Sequence, residues 1–301
     1  LTEPTRQSSF RSGFITIAGA PNVGKSTLLN RILGEKISIT SKKPQTTRNR
    51  ILGILHRPGS QMIFFDTPGI HKATRELNVR IVDTAISVLG DADLVLAVVD
   101  VSKPDPASER ILIKNIRAQG RPSILALNKI DLVAKPVLLE IIEAWAGRHD
   151  FAAIVPVSAK HGIQMDQLLD EMESALPSGP PYFPEDALTD LPERFLAGEM
   201  IREKVFRLTG QEIPYATAVT VEHFTEPETS GPIRIHATIH VERPSQKGMI
   251  IGKGGAKLKQ IGEASRKEIQ RLVGRKVFLK LFVRVQKNWS KDTKALRRFG
   301  Y

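Results

Sequence analysis

Over the first 180 residues, short apolar runs alternate with longer segments of helical periodicity. Phe14 to Ala20, Ile51 to His56, Met62 to Asp66, Leu94 to Asp100, Ser123 to Asn128 and Ala153 to Val157 have the length and content of strands. Lys25 to Leu33, Leu77 to Leu89, Ala107 to Ala118, Val137 to Arg148 and Ile163 to Leu176 lie between or after them with helical spacing. This alternation predicts an α/β domain, a mostly parallel sheet with helices on both faces. The pattern then breaks. Pro177, Pro180, Pro181, Pro184 and Pro192 crowd one stretch, which predicts a semi-rigid connector over residues 177–192. A new order follows: helix Glu193 to Leu208, strand Ala216 to Phe224, strand Ile233 to Glu242, a Gly-rich turn, helix Ala256 to Leu272 and strand Lys276 to Val285. Asp190 and Glu193 have the spacing of a capping box for the first of these helices. This second domain is smaller and of α+β type.

The 301 residues are 41% hydrophobic, enough for real cores and too apolar for a disordered tail. No apolar run approaches the roughly 18 to 20 residues that span a bilayer. Residues 1–12 carry Arg6 and Arg11 without a signal-length apolar segment, and we set them aside as a flexible N-terminal arm. A chain without cysteine has no disulfide or thiolate chemistry and suits a reducing cytoplasm.

The net charge of +12 is confined to one end. Residues 246–301 hold 16 Lys and Arg against Glu263, Glu268 and Asp292, whereas the preceding 245 residues hold 28 basic and 29 acidic groups. A solvated basic face would be the ordinary reading of a charge run. An imbalance so localised predicts a polyanionic partner for that segment, either nucleic acid or an acidic membrane surface.

Gly19-Ala20-Pro21-Asn22-Val23-Gly24-Lys25-Ser26, followed by Thr27, fits G-x-x-x-x-G-K-S between a strand and a helix. Such a loop curls its backbone N–H groups around phosphates, with Lys25 placed for the terminal phosphates and Ser26 for Mg²⁺. Asn128-Lys129-Ile130-Asp131 selects the base: the Asp131 carboxylate can accept from both N1–H and the exocyclic amine of guanine, whereas adenine lacks the N1–H donor.

With these two motifs in place, residues 13–176 resemble a translation-factor-type GTPase domain. Asp66-Thr67-Pro68-Gly69 matches the third motif, which implies that Asp66 holds Mg²⁺ through water and the Gly69 amide meets the γ-phosphate. Ser158-Ala159-Lys160 matches the fifth, whose backbone contacts guanine. Gln45-Thr46-Thr47-Arg48 resembles the switch segment, with Thr47 preferred over Thr46 as a Mg²⁺ ligand. Ile70 stands where Ras-type proteins carry a water-orienting Gln, so backbone, another switch residue or a partner must orient the water, and slow turnover is expected. Asn22 resembles an Asn that helps related GTPases hold K⁺ in place of an arginine finger; a loop-capping hydrogen bond is the other reading. His71 is not needed as a general base.

Met249-Ile250-Ile251-Gly252-Lys253-Gly254-Gly255 sets an apolar run against G-x-x-G ahead of a helix bearing Lys257 and Lys259. With the element order and the local charge, residues 193–301 resemble a type II KH domain, which clamps about four nucleotides at this loop. Ile250, Ile251 and Leu258 could line a groove or the core. Trp289, Phe299 and Tyr301 in the basic tail could stack on bases or pack on the domain, and His236 and His240 carry no metal-binding pattern.

A GTPase domain followed by a type II KH domain resembles the bacterial Era GTPases. That resemblance implies GTP hydrolysis with Mg²⁺, binding to the 3′ end of small-subunit ribosomal RNA and a role in small-subunit assembly. It also implies a monomeric, cytoplasmic protein with peripheral association at the inner membrane. The competing expectations are an RNA-binding scaffold whose nucleotide site barely turns over, and an ATP-using remodelling enzyme, which Asp131 disfavours.

Overall fold

The computed structural model describes residues 10–41, 46–70, 89–210, 213, 217–228 and 230–299. They fall into two compact units. The first holds the described residues of 10–35, 50–74 and 82–190, and the second those of 36–49 and from Leu191 onward.

In the first unit the elements run β1 (Arg11–Ala18), α1 (Lys25–Leu33), β2 (Ile51–Arg57), β3 (Ser60–Asp66), β4 (Leu94–Asp100), α2 (Pro106–Gln119), β5 (Ser123–Asn128), α3 (Lys135–Ala146), β6 (Ala153–Val157) and α4 (Met165–Ala175). The sheet order is β2-β3-β1-β4-β5-β6, and only β2 runs antiparallel to its neighbour. Every residue of β3, β4 and β5 is buried, as strands covered on both faces require. On one face Leu112 and Ile116 of α2 and Trp145 of α3 pack on Val95, Ala97, Val99, Leu125 and Leu127. Each fully buried aliphatic side chain contributes about 1.5–3 kcal/mol. Asp105 caps α2 by accepting from the Ser108 N–H at 3.1 Å, and Gly120 ends it at a φ of 61°. The chain order turns outward on either side of β1, so the loops after β1, β3 and β5 open at one edge, where ligands bind such sheets.

Two expectations are corrected here. Strand β1 starts at Arg11, inside the stretch set aside as an arm, because the Arg11 N–H donates to the Gly59 carbonyl at 3.0 Å and its guanidinium reaches the Leu176 carbonyl. The Pro-rich stretch expected as a semi-rigid connector is a bound strap. Gln61 Oε1 accepts from the N–H groups of Tyr182 and Phe183, the Ile54 N–H donates to the Leu188 carbonyl, Thr189 donates to Leu52, and Tyr182 packs on Phe14. These bonds cover an otherwise open edge strand. The expected helix at Leu77 to Leu89 lies, except for Leu89, outside the described residues, as does His71.

In the second unit α5 (Glu193–Leu208) precedes β7 (Ala218–Thr225), β8 (Ile233–Val241), α6 (Pro244–Ile251), α7 (Ala256–Val273), β9 (Val277–Val285) and α8 (Thr293–Arg298). The sheet order is β7-β8-β9, with β8 and β9 parallel. Ala197, Ile201 and Val205 of α5 and Ile261 and Ile269 of α7 close over Ile235, Ala237, Ile239 and Val241 of β8. The capping box expected from Asp190 does not form: Pro192 occupies the N-cap of α5 with no side-chain cap. The expected Gly-rich turn contains a further helix, α6, whose N-terminus is tied by the Arg243 N–H donating to Gln246 Oε1 at 2.9 Å.

The tail packs on the domain. Trp289 is fully buried with Ala218, Ala295, Leu296 and Phe299, and Phe299 lies 4.6 Å from the His240 ring. Tyr301 lies outside the described residues.

Candidate functional site

The phosphate loop leaves β1 at its carboxyl end, and Gly24 turns it into α1 at a φ of 106°. Lys25 is buried, its ammonium donating to the carbonyls of Gly19 (3.0 Å) and Ala20 (2.9 Å). Burial lowers its pKa to about 8, while the nearby Asp66 carboxylate pulls the other way. Phosphate oxygens at this point would raise it again. Ser26 donates its hydroxyl to Asp66 Oδ2 at 2.6 Å, and Thr67 donates to the Ile17 carbonyl at 2.8 Å. Gly69 lies against Pro21 so closely that a Cβ would come within 2.6 Å of the Pro21 nitrogen. The Ile70 N–H donates to Gly19 at 3.0 Å, and its side chain is fully buried in the core cluster behind the loop.

The base-reading loop is built on Asn128. Its Nδ2 donates to the Val23 carbonyl at 2.7 Å, while Oδ1 accepts from the N–H groups of Lys129 (2.8 Å) and Ala159 (3.0 Å). One side chain therefore ties the phosphate loop to both guanine motifs. Lys129, at a φ of 69°, extends to the Asn22 carbonyl at 2.9 Å and to Asp100; Ile130 and Asp131 open a short 3₁₀ turn. Asp131 Oδ1 accepts from Ser158 Oγ at 2.6 Å, and this bond, aided by His161 and Lys160, holds the carboxyl below its ordinary range. Asn22 is exposed, in the left-handed region at a φ of 66°.

Two supporting residues escaped the motif reading. Arg31, in the last turn of α1, donates to the carbonyls of Ala159 (3.1 Å) and Lys160 (2.6 Å), fixing the fifth-motif loop. Asp100, opposite Asn128 across the β4–β5 ladder, receives Lys129. A carboxylate ending an otherwise apolar buried strand was its only sequence signal.

Gly24 permits a sharp test. A Cβ there would stand 2.3 Å from Asn128 Nδ2, and the backbone conformation itself resists a side chain. Gly24→Ala is expected to destabilise the protein by about 1–3 kcal/mol and weaken nucleotide binding at least about tenfold, as read by thermal unfolding and fluorescent-GDP titration.

The expected switch residues belong to the second unit. Thr46 and Thr47 are buried in the second unit, where the Thr46 carbonyl accepts from Arg202 Nη2 at 2.6 Å. Arg48 donates to the Thr217 carbonyl at 2.9 Å, and Thr40 faces the buried Glu203 carboxylate, which also receives Lys36. Gln45 lies outside the described residues.

In the KH-like loop Gly252 leaves α6 at a φ of 71°, where a Cβ would meet that of Lys257 at 2.7 Å. Lys253, Gly254 and Gly255 form a 3₁₀ turn into α7, with Lys253 exposed. Lys259 is also exposed, while Lys257 Nζ donates to the Leu208 carbonyl at the end of α5 at 2.9 Å. Ile250 is core; Ile251 and Leu258 are half-buried.

Sheet, phosphate loop and base-reading loop together define a P-loop GTP-binding protein with a KH domain. A family model described as a 50S ribosome-binding GTPase matches residues 14–129, and a KH domain model matches residues 212–290. The GTPase Era of Geobacter metallireducens is 56% identical over 97% of this chain and 98% of its own, and that of Geotalea uraniireducens 54% over 98% and 99%. A crystal structure of an Aquifex aeolicus Era variant bound to GDP·AlF₄⁻ superposes with a TM-score of 0.93 at 39% identity, covering 97% of this chain and 99% of that one. Another of Era, with MgGDPNP and nucleotides 1506–1542 of 16S ribosomal RNA, gives the same values. The chain belongs to the Era family of GTPases.

Proposed function

We propose that the protein is a GTP-hydrolysing switch that binds the 3′ end of small-subunit ribosomal RNA through its KH loop and acts in small-subunit assembly. The observation that carries this reading is the Asn128 node, which joins phosphate grip and base choice, in one chain with a G-x-x-G loop in basic surroundings. Ser26 and Asp66 present oxygen donors of the hard kind that Mg²⁺ takes, with Thr47 the third by sequence. Bound there, the ion would neutralise charge on the terminal phosphates. Lys25 supplies a positive charge to the same phosphates, and the Gly19–Ser26 backbone fixes their position.

The buried Ile70 side chain cannot orient the attacking water, so turnover by the protein alone is slow. Asn22 is the residue we assign to a K⁺ that assists charge stabilisation. Hydrolysis is expected to run faster in KCl than in NaCl; equal rates remove K⁺ from the mechanism. A cytoplasmic monomer with peripheral inner-membrane association rests on the family resemblance. Among the described residues no helix is long and apolar enough to cross a membrane.

The segment carrying Thr47 is hydrogen-bonded within the KH unit, so a nucleotide that recruits Thr47 must draw on those bonds. RNA affinity should therefore differ between GTP-analogue and GDP states, measured by anisotropy on labelled 3′-terminal ribosomal RNA. Equal affinities would dissolve the coupling. Absence of phosphate release in KCl with ribosomal RNA would favour a scaffold instead, the reading that the buried Ile70 keeps in play.

A further inference from the structure

The sheet of the second unit has one face closed by helices and another that the tail covers around Ala218 and His240 but leaves open along β9. Along β9, Val277, Leu279, Leu281, Val283 and Val285 turn into the core, while Phe278, Lys280, Phe282 and Arg284 alternate on the opposite side and are all exposed. Phe278 is 53% and Phe282 42% exposed, on a strand where polar residues would serve stability equally well. The register sets Arg234, His236 and Thr238 of β8 beside Phe278, Lys280 and Phe282. His223 of β7 adds a ring 5.4 Å from His236, which in turn meets Phe282 edge-on at 6.5 Å. The Lys280 ammonium lies 5.2 Å from the Phe282 ring centroid. Among the described residues Arg234, Lys280 and Arg284 enter no ion pair, and Glu222 of β7 accepts the Thr238 hydroxyl at 2.8 Å.

We propose that this open face is a second nucleic-acid surface, on which a single-stranded RNA segment stacks its bases on Phe278 and Phe282. Four residues of strand separate the two rings by about 13 Å, with cations between and beyond them for phosphates. Flat aromatic rings interleaved with unpaired cations are what single strands use, because every base offers a π face whatever its sequence. An anionic membrane would be met by the charges, but two rings about 13 Å apart along one strand make no continuous apolar face to bury in it. A second copy of the chain would bring cation against cation. The inference rests on the KH loop contacting RNA, since the same partner then supplies the strand.

The test uses the full-length protein and the 3′-terminal small-subunit ribosomal RNA carrying 4-thiouridine. Photo-crosslinks are expected on the peptide spanning β9 as well as on residues 250–259. Phe278→Ala/Phe282→Ala should weaken binding about tenfold per ring with an unchanged salt slope and an unchanged melting temperature, both rings being exposed. Lys280→Gln/Arg284→Gln should instead lower the slope of log affinity against log salt by about 0.7 per contact. In Gly254→Asp, which blocks the loop, residual binding should remain sensitive to the two phenylalanines. Crosslinks confined to residues 250–259, with the double Phe variant binding normally, overturn the second surface and leave the loop reading intact. Crosslinks to β9 with none on the loop would instead overturn the loop reading. Dimerisation, or binding to phosphatidylglycerol vesicles, that the double Phe variant abolishes while RNA affinity stays intact also overturns it.

Discussion

Asp131→Asn is expected to weaken GTP binding about 100-fold or more and to shift preference toward xanthosine nucleotides. Guanine offers two donors at this edge, N1–H and the 2-amino group, and the carboxylate accepts both. Ser158 donates to Oδ1 and holds the carboxyl below its ordinary range, so both acceptors are present near neutral pH. An amide keeps one acceptor and turns a donor toward the 2-amino group; two facing donors leave a polar group unmade, and sites built on such bonds discriminate strongly. Xanthine carries a carbonyl at that carbon and receives the new donor. The Ser158 bond survives through the Asn oxygen, so the melting temperature should hold and any change reads recognition alone. Competition of labelled GDP by GTP and by XTP measures both arms. A protein that still prefers GTP by the original factor does not read guanine with Asp131.

The parts of this molecule set by local rules were legible in the chain. Fully buried parallel strands must be continuous apolar runs, and β3, β4 and β5 are; a phosphate loop must present glycine and lysine at fixed spacing between strand and helix, and it does. What stayed hidden is what depends on a distant partner. Five prolines describe a stiff segment but not that Gln61, buried on β3, waits to receive its N–H groups. Met249 to Ile251 is too short a run to declare a helix, and α6 forms because Pro244 and Gln246 start it. Arg202 and Glu203 are adjacent charged residues of a helix, yet both are buried, and only the contacts with Thr46 and Lys36 show why. The motif spacing places Asn128 in the expected base-reading loop, while its bond to Val23 depends on packing that no spacing encodes.

Arg202→Met should destabilise the protein by about 3–5 kcal/mol and abolish any difference in RNA affinity between GTP-analogue and GDP states. The guanidinium is buried, donating through Nε to Glu199 Oε1 at 2.7 Å and through Nη2 to Glu199 Oε2 and the Thr46 carbonyl, each at 2.6 Å. Methionine keeps an unbranched apolar stem in place but leaves a mostly buried carboxylate without its cation, the Phe206 ring without its guanidinium and the Thr46 carbonyl without that donor. The first deficit is one of stability and the second one of anchoring, and a second substitution separates them. Arg202→Met/Glu199→Leu removes both charges, and replacing a buried pair by apolar groups is often neutral. Chemical denaturation of the double variant should therefore return near the wild-type midpoint, while the segment 36–49 still lacks its clamp. Hydrogen exchange at Thr46 and Thr47 should rise in both variants, and the nucleotide-dependent contrast in RNA affinity should be missing from both. If the stabilised double variant shows the full contrast, Arg202 holds the segment for stability alone, and the signal between nucleotide and KH unit travels by the other bonds, through Glu203 or Arg48.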